Sequence, residues 1–314
     1  MIEATKSAPL ISVDWGTTNL RASLLDHSGK ITDQLTSDRG LLNRPDNFQS
    51  YLGDLIQPWL TRFPSAKTVM SGMVGSPGGW LEVPHVPCPA SPRSLATGAR
   101  CIKNFGYGGA WILPGVAGRG AAGLHEVMRG EEVQFFGAQH ICKSRNLPQP
   151  QRWCFPGTHN KWIEPGQDLT RFSTSMVGEI FDLIQHHSLL QQSLAAAQVE
   201  ARQDDSENLL RGLTVSQQPG GLMHHLFSVR TLQLSGAHEK HQGRSYLSGI
   251  IIGHDIAEQV SDADACIGIV ASPALGNRYH LALTTLGYQC FVIDAQEATA
   301  QGAHMVAQHL TTRA

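Results

Sequence analysis

The chain has 314 residues, 24 Lys or Arg against 26 Asp or Glu, a formal net charge of -2, and 41% hydrophobic against 16% charged side chains. That length suits two lobes better than one small core, and the composition excludes wholesale disorder. No Lys/Arg run marks a nucleic-acid or anionic-membrane surface. Six scattered cysteines without a C-x-x-C pair exclude a zinc ribbon and read as reduced thiols. The opening M-I-E-A-T-K-S-A-P-L lacks the apolar core of a signal peptide, and no stretch is apolar enough to span a bilayer, so a cytoplasmic protein is expected. No H-E-x-x-H pattern occurs among the histidines, and the pairs His186-His187 and His224-His225 are expected on helix surfaces.

In chain order, strands are predicted at 10–13, 20–25 and 31–35, with a turn signal at His27-Ser28-Gly29-Lys30, which makes an opening β-meander. Apolar residues at helical spacing (Phe48, Tyr51, Leu52, Leu55, Ile56, Trp59, Leu60) predict a helix over 48–63. Strands follow at 68–70 and 110–113, each running into a Gly-rich loop. A second unit is expected to begin near His125, where Glu126–Met128 precedes R-G-E-E, with a helix starting at 132–136 and a second meander at 153–155, 162–163 and 169–173. Helices are predicted at 176–190, 194–201, 243–260, 277–286 and 298–310, with buried strands at 267–271 and 290–293. Meanders and helices thus come in two successive sets. The expected fold is α/β, in two lobes of related topology with a cleft between them: an N-terminal lobe over 1–122 and a C-terminal lobe over 123–314.

Chemistry concentrates in the loops. Asp14-Trp15-Gly16-Thr17-Thr18-Asn19 follows an apolar strand. Phosphate at a turn needs small residues, free N–H groups and hydroxyls, and an aspartate beside phosphate needs a cation between them. Asp14 therefore reads as a Mg2+ ligand or, alternatively, as the cap of an ordinary hairpin turn. Pro156-Gly157-Thr158-His159-Asn160-Lys161 also follows a strand, and a pair of such loops could grip phosphates from opposite sides. In Arg129-Gly130-Glu131-Glu132, Glu131 is the candidate base for an alcohol acceptor, the alternative being that both carboxylates complement a helix N-terminus. Gly72, Met73, Gly75, Ser76 and Trp80 lie in a Gly-rich loop that could line a polar ligand or form a plain turn. Arg119 and Arg129 could pair with an anionic substrate or sit in solvent.

These stretches carry a resemblance. I-S-V-D-W-G-T-T-N-L-R-A resembles the first phosphate loop of the sugar kinase, actin and Hsp70 superfamily. With S-G-M-V-G-S-P-G-G-W, E-V-P-H-V-P-C-P-A, E-V-M-R-G-E-E-V-Q, F-P-G-T-H-N-K-W and S-M-V-G-E-I-F-D-L, the whole chain is similar to the 2-keto-3-deoxygalactonokinase family. The resemblance implies two ribonuclease H-like lobes of the actin-like ATPase/sugar kinase fold with an interlobe active-site cleft. It implies ATP and Mg2+ as cofactors, and phosphorylation of the 6-hydroxyl of 2-keto-3-deoxy-D-galactonate in galactonate catabolism. The alternatives are a superfamily kinase for another sugar or sugar acid, or a non-kinase ATP-binding protein. Carried over by position, Asp14, Gly16, Thr17, Thr18 and Asn19 match the first phosphate loop and Gly157, Thr158 and His159 the second. Glu131 stands where related kinases place their base. Val270–Asn277, with a single glycine, stands where the adenosine turn is expected. The expected partners are the sugar acid and ATP. The sequence leaves oligomeric state open, with a homodimer among the options.

Overall fold

The computed structural model describes residues 9–120, 123–194, 206–237, 239–262 and 265–311. In chain order the first part comprises β1 (Leu10–Trp15), β2 (Leu20–Leu25), β3 (Ile31–Ser37), α1 (Phe48–Arg62), β4 (Lys67–Gly72), β5 (Val86–Pro87), α2 (Pro92–Gly98), β6 (Arg100–Ile102), β7 (Ala110–Ile112), β8 (Val116–Arg119), β9 (His125–Met128) and α3 (Glu131–Ser144). There follow β10 (Arg152–Phe155), β11 (Asn160–Ile163), β12 (Phe172–Ser175), α4 (Val177–His187), α5 (Ser206–Ser216), α6 (Gly221–Leu234), α7 (Lys240–Gln259), β13 (Cys266–Ala271), α8 (Pro273–Thr285), β14 (Gln289–Asp294) and α9 (Ala295–Ala307).

The chain forms two compact units, one of Met1–Pro148, Glu164–Ser173 and Ile293–Ala314, the other of Gln149–Ile163 and Thr174–Val292. In the first unit the main sheet runs β3-β2-β1-β4-β7-β6. β1 is antiparallel to β2 and parallel to β4. Ile11, Val13 and Trp15 are buried on this central strand, and so is Ser12 on the opposite parity. A strand covered on both faces reads as a continuous apolar run. β3, at the edge, is mostly exposed. α1 buries Leu52, Ile56 and Trp59, and its N-cap Asn47 accepts a bond from Ser50 N–H at 3.0 Å.

The principal sheet of the second unit runs β12-β11-β10-β13-β14, with β10 antiparallel to β11 and parallel to β13. Relabelled by chain order within each sheet, the first reads 3-2-1-4-6-5 and the second 3-2-1-4-5, so both share the 3-2-1-4 run with the same sense at the centre. The repeated meander expected from sequence is therefore real topology. β13 (C-I-G-I-V-A) is buried throughout, and α5 packs closely along α7, with Gly212 against the Tyr246 carbonyl and Gly249 against the Leu209 carbonyl.

The unit boundary differs from the predicted 122/123 division. Residues 123–148 belong to the first unit. The reason is pairing and packing. β9 completes a hairpin with β8 in register Val116↔Met128 to Arg119↔His125, and α3 lies against α9, Gly137 meeting the Ala298 carbonyl and Gly302 that of Val133. A helix that begins 164 residues after the start of α3 (295 against 131) closes the first unit, which local spacing does not reveal.

Other differences are local. The helix predicted over 176–190 stops at His187, because Ser188 is extended (φ -120°, ψ 167°) and its hydroxyl accepts from Leu190 N–H before a short 3-10 turn. Beyond Leu194, the helix predicted over 194–201 lies outside the described residues. α2, α5 and α6 were not anticipated. α9 starts three residues earlier than predicted, with the Asp294 carboxylate accepting from Gln296 and Glu297 N–H at 2.9 Å each.

Candidate active site

The β1–β2 turn is closed by a bond from Gly16 N–H to the Asn19 carbonyl, 2.9 Å. The amides of Gly40, Leu41 and Leu42 donate to the carbonyls of Thr18, Gly16 and Thr17 at 3.2, 3.1 and 2.9 Å. The turn's carbonyls are therefore taken up on one side, and Thr17, Thr18 and Asn19 are exposed. That leaves a small, hydroxyl-bearing surface suited to an anion. Asp14 pairs in register with Arg21 across the hairpin, and the two side chains approach to 3.8 Å. The Asp14 carboxyl, a quarter exposed, is pushed up to about 6 by desolvation, partly offset by Arg21, with the Glu131 charge adding to the rise.

β4 ends beside it. Gly72 is in register with Trp15 and has φ 87°. A Cβ there would stand 2.8 Å from the Trp15 carbonyl oxygen and 3.2 Å from Asp14 Oδ1, so a side chain is excluded on both conformational and steric grounds. Gly130, at φ 115°, is the N-cap of α3 and faces Gly72, whose Cα would lie 3.5 Å from its Cβ. Two facing glycines thus seat the Arg129–Glu132 turn against the end of β4, next to Asp14. In that turn both carboxylates fold back on the backbone. Glu131 Oε2 accepts from Arg129 N–H at 3.2 Å, and Glu132 Oε2 from Gly130 N–H at 2.7 Å. The Arg129 guanidinium donates through Nη2 to the Val83 carbonyl at 2.7 Å, with His85 Nε2 at 3.4 Å. It occupies the space a Gly75 Cβ would need, 2.8 Å from Nη1. Burial, then Arg129, hold His85 below its ordinary range.

The two adjacent carboxylates differ sharply. Glu132 is fully buried, and burial, then the Glu131 charge, push it up to about 8. Glu132 is thus neutral at pH 7. Because its folded value exceeds the ordinary 4.5, the stability it contributes is complete below pH 4.5 and is lost as pH rises toward 8. Glu132→Gln retains an acceptor for Gly130 N–H and removes that dependence. Denaturant midpoints measured from pH 5 to 8 should show the variant gaining on the parent as pH rises, by a few kcal/mol in all (~1.4 per unit of pKa displacement). Parallel curves would contradict it.

The second loop lies in the other unit. Gly157 N–H donates to Asn160 Oδ1 at 2.9 Å. Asn160 Nδ2 donates to Asp255 Oδ2 at 3.0 Å and also meets the Tyr279 hydroxyl, and Trp162 Nε1 donates to the same Asp255 oxygen at 2.9 Å. Asp255 on α7 is buried, and burial raises its pKa against these donors. Thr158 and His159 are exposed above this network.

The remaining predicted residues are placed as follows. Met73 and Gly75 form a 3-10 turn, and the buried Ser76 hydroxyl donates to the Met73 carbonyl at 2.7 Å. Trp80 stacks on Phe48 at 6.3 Å and meets Phe105 edge-on at 5.8 Å. Arg119 is exposed and caps the β8–β9 hairpin through the Gly123 carbonyl at 2.7 Å. The structure thus brings together Asp14, Gly72, Gly75, Arg129 and Glu131, while the contacts of Ser76, Trp80 and Arg119 are with the fold itself. Arg21, His85 and Asp255 escaped sequence reasoning. Only Arg21 left a signal there, its place across the hairpin from Asp14.

A family model described as 2-keto-3-deoxy-galactonokinase matches residues 14–306. The chain belongs to this family. It is 30% identical over 308 residues to the 2-dehydro-3-deoxygalactonokinase of Escherichia coli K12, covering 96% of this chain and 98% of that one. A Sinorhizobium meliloti crystal structure, titled as a candidate 2-dehydro-3-deoxygalactonokinase, shares 29% identity with a TM-score of 0.83, over 97% of this chain and 98% of the other. Component A of the (R)-2-hydroxyglutaryl-CoA dehydratase of Acidaminococcus fermentans, at 13% identity and TM-score 0.52 over 97% and 100% of the two chains, shares the fold. The α/β fold expected from the motifs is thus shared with solved structures over nearly the whole chain. Among the described residues no helix is long and apolar enough to cross a membrane.

Proposed function

We propose that this family member is an ATP-dependent kinase that phosphorylates the 6-hydroxyl of 2-keto-3-deoxy-D-galactonate, acting in cytoplasmic galactonate catabolism. The observation that carries the reading is the seating of Glu131 beside Asp14, through the facing glycines 72 and 130, in a chain that the kinase family model spans from residue 14 to residue 306.

Glu131 is the general base. It stands at the start of α3, its carboxylate accepting from Arg129 N–H, and takes the proton of the acceptor hydroxyl as the oxygen attacks phosphorus. Glu132, neutral and buried, fixes the turn rather than the proton. Arg129, anchored on Val83, supplies a cation for the sugar-acid carboxylate. Gly16, Thr17, Thr18 and Asn19 offer donors to phosphate oxygens, and so do Gly157, Thr158 and His159. Arg21 adds positive charge next to the first loop.

The residues fit Mg2+. Asp14 is a hard oxygen donor whose ionised form suffers from desolvation, a cost that a cation relieves, and among the described residues no cluster of three or more metal-ligating side chains exists. Mg2+ is commonly held by one or two carboxylates plus phosphate oxygens and water. Bound at Asp14, it would neutralise charge on the phosphate.

The test is ADP release, by a coupled assay, against a panel of 2-keto-3-deoxy sugar acids. The galactonate derivative should give the highest kcat/KM. ATP binding with no acceptor-dependent ADP release across the panel would sink the kinase reading.

A further inference from the structure

The first turn of α4 fits the second loop at several points at once. Met176, the N-cap of α4, provides no side-chain cap. Instead, the third helical amide, Glu179 N–H, donates to the Thr158 carbonyl at 3.0 Å. Gly178 lets the helix approach, since a Cβ there would strike the Gly157 carbonyl and stand 2.8 Å from Thr158 Cα. The Glu179 carboxylate takes up Nε2 of His159. Below, Asn160 ties the loop to Asp255. A solitary exposed His–Glu pair would carry little meaning. Here the same residue grips the loop through backbone and side chain together, on a helix that a glycine brings to contact distance.

We propose that Glu179 is a positioning residue for nucleotide phosphate, acting through His159. This rests on the reading of Gly157–His159 as a phosphate loop. A carboxylate only accepts, so the Nε2 it faces bears the proton. Glu179 thereby fixes the plane of the His159 ring and leaves Nδ1 as the nitrogen that faces a ligand; toward a phosphate oxygen, an acceptor, Nδ1 donates from the doubly protonated ring, whose charge the Glu179 carboxylate balances. Holding the Thr158 carbonyl on α4 turns that peptide's negative end away from an incoming phosphate. Glu179 itself repels phosphate and does not touch it.

The experiment is a double-mutant cycle read as the Kd of Mg-ADP by calorimetry, with Glu179→Ala, His159→Ala, the double variant, Glu179→Gln and Thr158→Val. Glu179→Ala and His159→Ala should each weaken ADP about tenfold (~1.4 kcal/mol). The double variant should be no weaker than His159→Ala by more than about twofold, because the second residue works through the first. Glu179→Gln, which still accepts from Nε2, should recover most of the affinity, and KM for the sugar acid should not move in any of them. Losses that multiply in the double variant, or a Glu179→Ala protein that binds ADP normally while His159→Ala and Thr158→Val do not, overturn the positioning role alone. Wild-type affinity in all five overturns the phosphate-loop reading and the inference with it.

Discussion

Glu131→Gln is expected to lower kcat by about 10²–10⁴-fold, the usual worth of a positioned general base, with Tm and the KM for ATP nearly unchanged. Gln preserves the shape and an oxygen for Arg129 N–H, so what disappears is the capacity to accept a proton. The structure also supplies the control. Glu132 adjoins it, yet is wholly buried and pushed up to about 8, so near neutral pH it has no lone charge to offer a hydroxyl. Glu132→Gln should therefore retain most of the rate while altering stability with pH. Steady-state kinetics of the two variants at pH 7 separate the roles. A Glu131→Gln enzyme with near-parental kcat would remove Glu131 from the chemistry, and a Glu132→Gln enzyme that failed instead would move the base by one residue.

Where local chemistry dictated structure, the sequence could be read. Ile11 to Leu25 contains two apolar runs around a Gly-hydroxyl turn, and it folds as the hairpin expected. The second loop likewise follows a buried strand. Glu131 and Glu132 were indistinguishable as letters, because what separates them is burial, set by the turn at Gly130 and by the packing of α3 against α9. Trp80 looked like a ligand platform, as a tryptophan in a Gly-rich loop does. Its stacking on Phe48 depends on α1, which no spacing argument places beside it. α6 went unseen because its apolar residues are spread around the helix among polar ones, with Val229 buried and Met223 and Phe227 exposed, so there is no period to detect. Asp255 gave no sign, being one of two acids, with Glu258, near the end of a long helix. It acquires meaning only when β11 brings Asn160 and Trp162 to it.

Asp14→Asn tests the cation site by the sign of its effects as well as their size. Losing a carboxylate that orients Mg2+ removes several kcal/mol of charge stabilisation, so kcat should fall by about 10²-fold or more at saturating ATP (~1.4 kcal/mol per decade), and the Mg2+ concentration needed for half-maximal rate should rise. Binding of metal-free ADP should move the opposite way or not at all. The carboxylate repels phosphate when no cation intervenes, and its removal also releases Arg21, 3.8 Å away across the hairpin, to meet the anion. The fold should tolerate the change. Asn is isosteric and does not press on Gly72, and the partly exposed Asp14–Arg21 pair contributes roughly 0–1 kcal/mol to stability. The discriminating measurement is a pair of ADP titrations, with Mg2+ and with chelator. If Asp14 is the metal ligand, the variant loses the affinity gained from Mg2+ but not the affinity found without it. Equal weakening under both conditions would mean that Asp14 shapes the turn and does not hold a metal.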